Sequence, residues 1–124
     1  MNPTPVIALA FAFESVIVNV LVPLRPMEVG LAGAGGCTAY DVITILRKAR
    51  QAVSDCSIEI DAERASEDPK VFTRIELKFT VRGRNLDRDA VARAVQLSRE
   101  KYCSATAMLA RTAEIVHSID VVDQ

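Results

Sequence analysis

Residues Ser57 to Arg84 read SIEIDAERASEDPKVFTRIELKFTVRGR, two alternating runs around a turn. In the first run Ile58, Ile60 and Ala62 alternate with Glu59, Asp61 and Glu63. That period of two places apolar side chains on one face of a strand and carboxylates on the other. The segment SEDPK, Ser66 to Lys70, supplies turn chemistry. In the second run Val71, Thr73, Ile75, Leu77, Phe79 and Val81 share a face, Arg74, Glu76, Lys78 and Arg82 point to water, and Gly83 ends the strand. The pair is an antiparallel hairpin in which acidic residues of one strand can face basic residues of the other.

Upstream lies Arg25 to Arg50, RPMEVGLAGAGGCTAYDVITILRKAR. Pro26 suits the first position of a helix, where its missing N–H costs nothing. Gly30, Gly33, Gly35 and Gly36 each weaken a helix by up to about 1 kcal/mol relative to Ala, so helix here depends on tertiary packing. From Cys37 onward Val42, Ile45, Leu46, Ala49 and Val53 recur at helical spacing, with Asp41, Arg47, Lys48, Arg50 and Gln51 largely on the other side.

Further upstream, Val6 to Val22 is almost wholly apolar. No Lys or Arg precedes it, and Glu14 and Asn19 interrupt a run already short for a bilayer crossing. The expectation is one or two buried strands, with Val16, Val18, Val20 and Val22 on one face and Ile17 and Leu21 on the other. A membrane-associated segment is the lesser alternative.

Downstream of the hairpin, Asn85 or Asp87 can cap a helix running to about Tyr102, with Val91, Val95, Ser98 and Tyr102 on one stripe. SATAMLA then gives a short helical or turning segment, and Glu114 to Val122 alternates as a closing strand. Strands grouped between helices make the fold class α+β. At 124 residues the chain is one domain.

Half of the residues are apolar, a quarter are charged and the net charge is −1. Lys and Arg are spread from Arg25 to Arg111 without a dense run, which gives no electrostatic footprint for nucleic acid. Three cysteines at wide spacing, with no CxxC pair, argue against a disulfide framework and a zinc motif, and fit a reducing cytoplasm.

One histidine, no Ser-His-Asp arrangement and no phosphate-binding glycine motif leave thiols as the plausible nucleophiles. A thiolate attacks the O–O bond of a peroxide, and a second thiol can condense with the resulting sulfenic acid. Cys37 and Cys103 are a candidate pair, although 66 residues of separation say nothing about distance. Cys56, at the junction of helix and strand, reads as a buried structural thiol. Cys37 stays open between catalytic and structural. Asp41, four residues on along the same helical face, opposes its ionisation, so another group such as an arginine must favour the thiolate. His117, with Ile115 and Ile119 on its face, reads as a hydrogen-bonded core or interface residue, and Tyr40 and Tyr102 as packing residues.

At GGCTAYDVITILRKARQ (Gly35 to Gln51), at EKYCS (Glu100 to Ser104), and in the strand VFTRIELKFTVRGR between them, the sequence resembles the OsmC/Ohr family, especially its OsmC-like branch. The resemblance runs from Arg25 to the C-terminus. It implies an α+β fold in which antiparallel sheets wrap two long central helices, two chains interlock as a homodimer, and two active sites lie at the dimer interface. It also implies reduction of organic hydroperoxides in oxidative-stress defence, with Cys37 as the attacking thiol, Cys103 as the resolving thiol and a dithiol or lipoylated protein as reductant. No cofactor, nucleic acid or membrane is called for, and the compartment is cytoplasmic.

In the peroxidases of the family it resembles, a glutamate ten residues before the reactive cysteine pairs with an arginine from the N-terminal strands that helps to activate the thiol, and this chain has Met27 at the matching position. Glu28 and Arg25 are the candidates for supporting roles, because residues 1–24 hold no Lys or Arg and form a shortened, atypical N-terminal part. A non-enzymatic dimer binding a small apolar ligand or partner is the alternative.

Overall fold

The computed structural model describes residues 6–12, 15–20 and 25–123, the first two stretches by backbone path alone. Along the chain it runs β1 (Val6–Ala12), β2 (Ser15–Val20), α1 (Pro26–Lys48), β3 (Ala52–Arg64), β4 (Phe72–Arg84), α2 (Arg88–Leu97), a π-helical turn (Ser98–Tyr102), α3 (Ser104–Leu109) and β5 (Glu114–Asp123). The strands form one sheet in the order β2-β1-β3-β4-β5.

The hairpin expected at Ser57 to Arg84 is the β3–β4 pair, antiparallel, with Ile58 opposite Phe79 and Ile60 opposite Leu77. Cys56, Ile58, Ile60 and Ala62 of β3 and Ile75, Leu77, Phe79 and Val81 of β4 are all buried. On the opposite face Arg82 pairs with Asp55 at 3.3 Å and Lys78 with Asp61 at 3.8 Å. Exposed pairs of this kind are worth at most ~1 kcal/mol each, so the hairpin rests on its apolar face.

Two details of the hairpin differ from the alternation. Thr73 is exposed while Phe72 is buried, because the register shifts between Glu63 and Arg64. An irregularity of that kind reverses the faces beyond it. Gly83 does not end β4, which continues to Arg84. A Cβ on Gly83 would collide with the Ala52 carbonyl, beside the second register shift between Val53 and Asp55. Glycine there lets two backbones approach at an irregular point of the ladder.

The sheet is mixed rather than wholly antiparallel, because β5 pairs parallel to β4. The connection through α2, the π turn and α3 returns the chain to the same end of the sheet, as parallel neighbours require. Val6 to Val22 contains the hairpin strands β1 and β2, with β1 also paired to β3, so the run is not a membrane helix. The side-chain faces expected within it lie outside the described residues.

Within the chain only one described helix is long. α1 spans 23 residues without interruption through all four glycines. Its stripe of Leu31, Ala34, Gly35, Thr38, Ala39, Val42 and Leu46 is buried, packed on β3, β1 and α2. That tertiary packing offsets the glycine cost. α1 is long and apolar enough to cross a bilayer by length and composition, but these contacts make it a core helix.

α1 stops earlier than the apolar spacing suggested. Arg50 takes a left-handed φ of 62°, the Gln51 N–H bonds to the Leu46 carbonyl and the Arg50 N–H to that of Arg47. This closing motif usually employs glycine. Val53 consequently belongs to β3, and Cys56 lies within β3 rather than at a junction.

Candidate active site

The helical stripe that begins with Val91 and Val95 in α2 delivers Ser98 to the interior, fully buried. Asp87 starts α2 as its N-cap, accepting from the Asp89 N–H at 3.0 Å. After Leu97 the helix widens, and the Cys103 N–H bonds to the Ser98 carbonyl at 2.7 Å across five residues. The wider ring places one extra residue in the turn, a feature found often at functional sites. Cys103 therefore takes the inward position and is buried, while Tyr102, expected on the buried stripe, is 54% exposed.

The polar network behind the site is directional. The Ser98 hydroxyl donates to Asp41 Oδ2 at 2.9 Å, and Ser98 Oγ lies 2.9 Å from Thr38 Oγ1. Ser98 has a single hydroxyl proton, so once it donates to the carboxylate, Thr38 is the donor to Ser98. Thr38 and Ser98 are both fully buried. This chain of bonds ties α1 to the start of the π turn.

In front of that network lie Cys37 and Cys103. The Cys37 and Cys103 sulfurs and an Asp41 oxygen lie within 4.8 Å of one another. Cys37 and Asp41 stand one turn apart on α1, as the i, i+4 spacing requires. Cys37 is half-buried and Cys103 buried, and both are free thiols. The Cys103 sulfur accepts from the Thr106 N–H at 3.5 Å, and the Cys103 carbonyl from the Thr106 hydroxyl at 3.2 Å. The fold thus juxtaposes two thiols far apart in sequence.

Among the described residues of one chain, the surroundings of Cys37 favour its neutral thiol. Cys37 is pushed up to about 11, first by burial, then by its hydrogen bond to and charge interaction with Cys103, then by Asp41. The Ala105 N–H acts in the opposite direction. Each upward influence favours the neutral thiol. Cys56, pushed up to about 12 by burial and by Asp55, is inert in its strand.

Glu28 and Arg25 are not beside this pair in the same chain. Because α1 is continuous, nine residues turn Glu28 roughly 180° from Cys37 and place it about 13 Å along the axis. Glu28 instead extends the buried stripe, and its Oε2 has no hydrogen-bond partner among the described residues. Arg25 is the N-cap residue of α1 and is exposed.

Sequence reasoning missed Ser98 and Arg99. Ser98 was a polar residue on an apolar stripe, which is a signal for a buried hydrogen bond. Arg99 bonds His117 Nδ1 at 2.6 Å and the Ile115 carbonyl at 2.8 Å, tying the π turn to β5. His117 is hydrogen-bonded as expected, but its side chain is exposed.

A family model described as OsmC-like protein matches residues 23–118. The chain belongs to the OsmC-like family. Protein YhfA of Escherichia coli is 54% identical over 97 residues, 78% of this chain and 72% of that protein. Among solved structures of this family's fold, a hypothetical protein from Aquifex aeolicus is 30% identical, with a TM-score of 0.71 and 98% of both chains covered. The organic hydroperoxide resistance protein OsmC of Legionella pneumophila is 14% identical, with a TM-score of 0.61, covering 97% of this chain and 98% of its own. At that identity the likeness to the Legionella protein is one of fold.

Proposed function

We propose that this OsmC-like protein is a stress-response redox protein that reduces organic hydroperoxides with Cys37 and Cys103. The observation that carries the reading is the close approach of a half-buried thiol to a buried one. The names of two fold relatives, from Legionella pneumophila and Bacillus subtilis, state organic hydroperoxide resistance, which supports the same chemistry.

In the first step the Cys37 thiolate attacks one oxygen of the hydroperoxide. The O–O bond breaks, the alcohol leaves with a proton, and Cys37 becomes a sulfenic acid. The Cys103 sulfur then attacks the Cys37 sulfur, water leaves, and a disulfide forms. A dithiol or lipoylated protein returns both thiols to the reduced state by exchange.

A thiol held near 11 is ionised in roughly one molecule in ten thousand at pH 7. In this reading a second copy supplies the missing positive charge. Exposed Tyr40, one turn from Cys37, and exposed Tyr102, next to Cys103, belong to the face that copy covers. Glu28, whose Oε2 has no hydrogen-bond partner among the described residues, and the exposed Arg25 take their supporting roles in that dimer.

The raised Cys37 thiol favours one other reading, a non-enzymatic dimer that binds a small apolar ligand. One experiment separates the two. Intact mass after substoichiometric cumene hydroperoxide shows loss of two hydrogens within one chain, and Cys37→Ser abolishes dithiol-dependent consumption of the peroxide. Equal rates for wild type and Cys37→Ser overturn the peroxidase reading.

A further inference from the structure

We propose that Cys37, Asp41 and Cys103 form a three-ligand site for zinc, with the fourth coordination position not filled by a protein atom of this set. The inference stands on three ligand atoms and does not depend on the peroxidase reading.

Two soft sulfurs and one carboxylate oxygen, all within 4.8 Å of one another, are a donor set that suits zinc and excludes magnesium or calcium. Tetrahedral zinc, with bonds of about 2.3 Å to sulfur and 2.0–2.2 Å to oxygen, requires ligand atoms roughly 3.5–3.8 Å apart. The site therefore closes by about 1.3 Å at most, within the reach of side-chain torsions.

Two ligands come from one face of α1 at i, i+4, a spacing that serves zinc on other helices. The third comes from the end of the π turn. Sequence spacing did not disclose the set, because Cys103 is brought in only by that turn.

The surroundings fit as well. The Ser98 hydroxyl holds Asp41 Oδ2 from behind, and Thr38 holds Ser98, the outer-shell arrangement that orients a metal-binding carboxylate. The Ala105 N–H donates to the Cys37 sulfur, which helps to fix its position. Cys37 is half-buried, which leaves one side for water or an incoming thiolate. Three protein ligands and one open position are the pattern of reactive rather than purely structural zinc.

On binding, two S–Zn bonds and one O–Zn bond form and both thiol protons leave to solvent. Bound zinc would hold both sulfurs as thiolates. Zinc and the Cys37–Cys103 disulfide exclude one another, since each uses both sulfurs.

The test is titration of the reduced full-length protein with cadmium and with zinc. One cadmium per chain, with a thiolate-to-metal charge-transfer band, is expected. Cys103→Ser should diminish that band. Asp41→Asn, which keeps an acceptor for Ser98, should weaken zinc by at least the ~10-fold that losing an outer-shell partner costs. Cys56→Ser should bind as wild type, and prior oxidation to the disulfide should abolish binding. Absence of the band in reduced wild type overturns the proposal. So does a band undiminished in Cys103→Ser, or zinc affinity unchanged in Asp41→Asn. Failure of hydroperoxide turnover with normal metal binding removes the peroxidase reading alone.

Discussion

The Ser98 hydroxyl donates to Asp41 Oδ2 at 2.9 Å and, fully buried, is also the partner of Thr38 Oγ1. Removing it leaves the buried Thr38 hydroxyl and the half-buried Asp41 carboxylate each short of a partner. Ser98→Ala is expected to cost about 1–3 kcal/mol of stability by urea denaturation. Thr38→Val combined with Ser98→Ala should cost less than the sum of the single changes, because the second removes an atom the first has already orphaned.

Asp41 has a second effect, on the thiol one turn away. Cys37 is pushed up to about 11 in part by that carboxylate, so Asp41→Asn should lower its midpoint. Iodoacetamide alkylation of metal-free protein, followed against pH, should show Cys37 reactivity still climbing above pH 10 in wild type. The variant's curve should move to lower pH. A shift upward, or none, would contradict the assigned influence of Asp41.

The hairpin and the two thiols illustrate what sequence can and cannot disclose here. Ile58, Ile60, Leu77 and Phe79 were readable because a strand with one buried face imposes a period of two. Thr73 was not, because a register shift leaves composition unchanged while reversing the face. The parallel β4–β5 pairing depends on a return across three helical segments, and no local pattern records it. Cys37 and Cys103 stood out as a pair by elimination and by family resemblance, but their proximity depends on the π turn. Ser98 was placed correctly on the stripe with Val91 and Val95, and its hydroxyl there was the unexploited sign of the Asp41 contact.

Gly83 gives a steric prediction. Any Cβ at this position runs into the Ala52 carbonyl, and the backbone of Val53 is close behind. Backbone cannot rotate aside as a flexible side chain can, so β3 and β4 must separate locally. Gly83→Ala should destabilise by about 1–3 kcal/mol, the range for overpacking. Amide exchange should quicken at the Ala52 end of the ladder and stay slow around Ile58 and Phe79.

His117 gives the pH dependence. Its ring nitrogen Nδ1 lies 2.6 Å from Arg99 Nη1. Guanidinium only donates, so Nδ1 is the acceptor and the proton of the neutral ring is on Nε2. Partial burial of the otherwise exposed ring, one side of which faces Phe79, and then the Arg99 charge hold the imidazole below its ordinary value of 6.5. Well above pH 6.5 the ring is neutral in folded and unfolded chains alike, and the Arg99 contact is fully present. As pH falls below 6.5 the unfolded chain takes up a proton first, so this residue's contribution declines until pH passes the folded value. NMR should place the His117 midpoint below 6.5 and move it upward in Arg99→Gln. The decline in stability from pH 7 toward pH 5 should be shallower in His117→Gln, since Gln cannot take up the proton. An unchanged slope would assign the acid sensitivity to the carboxylates instead.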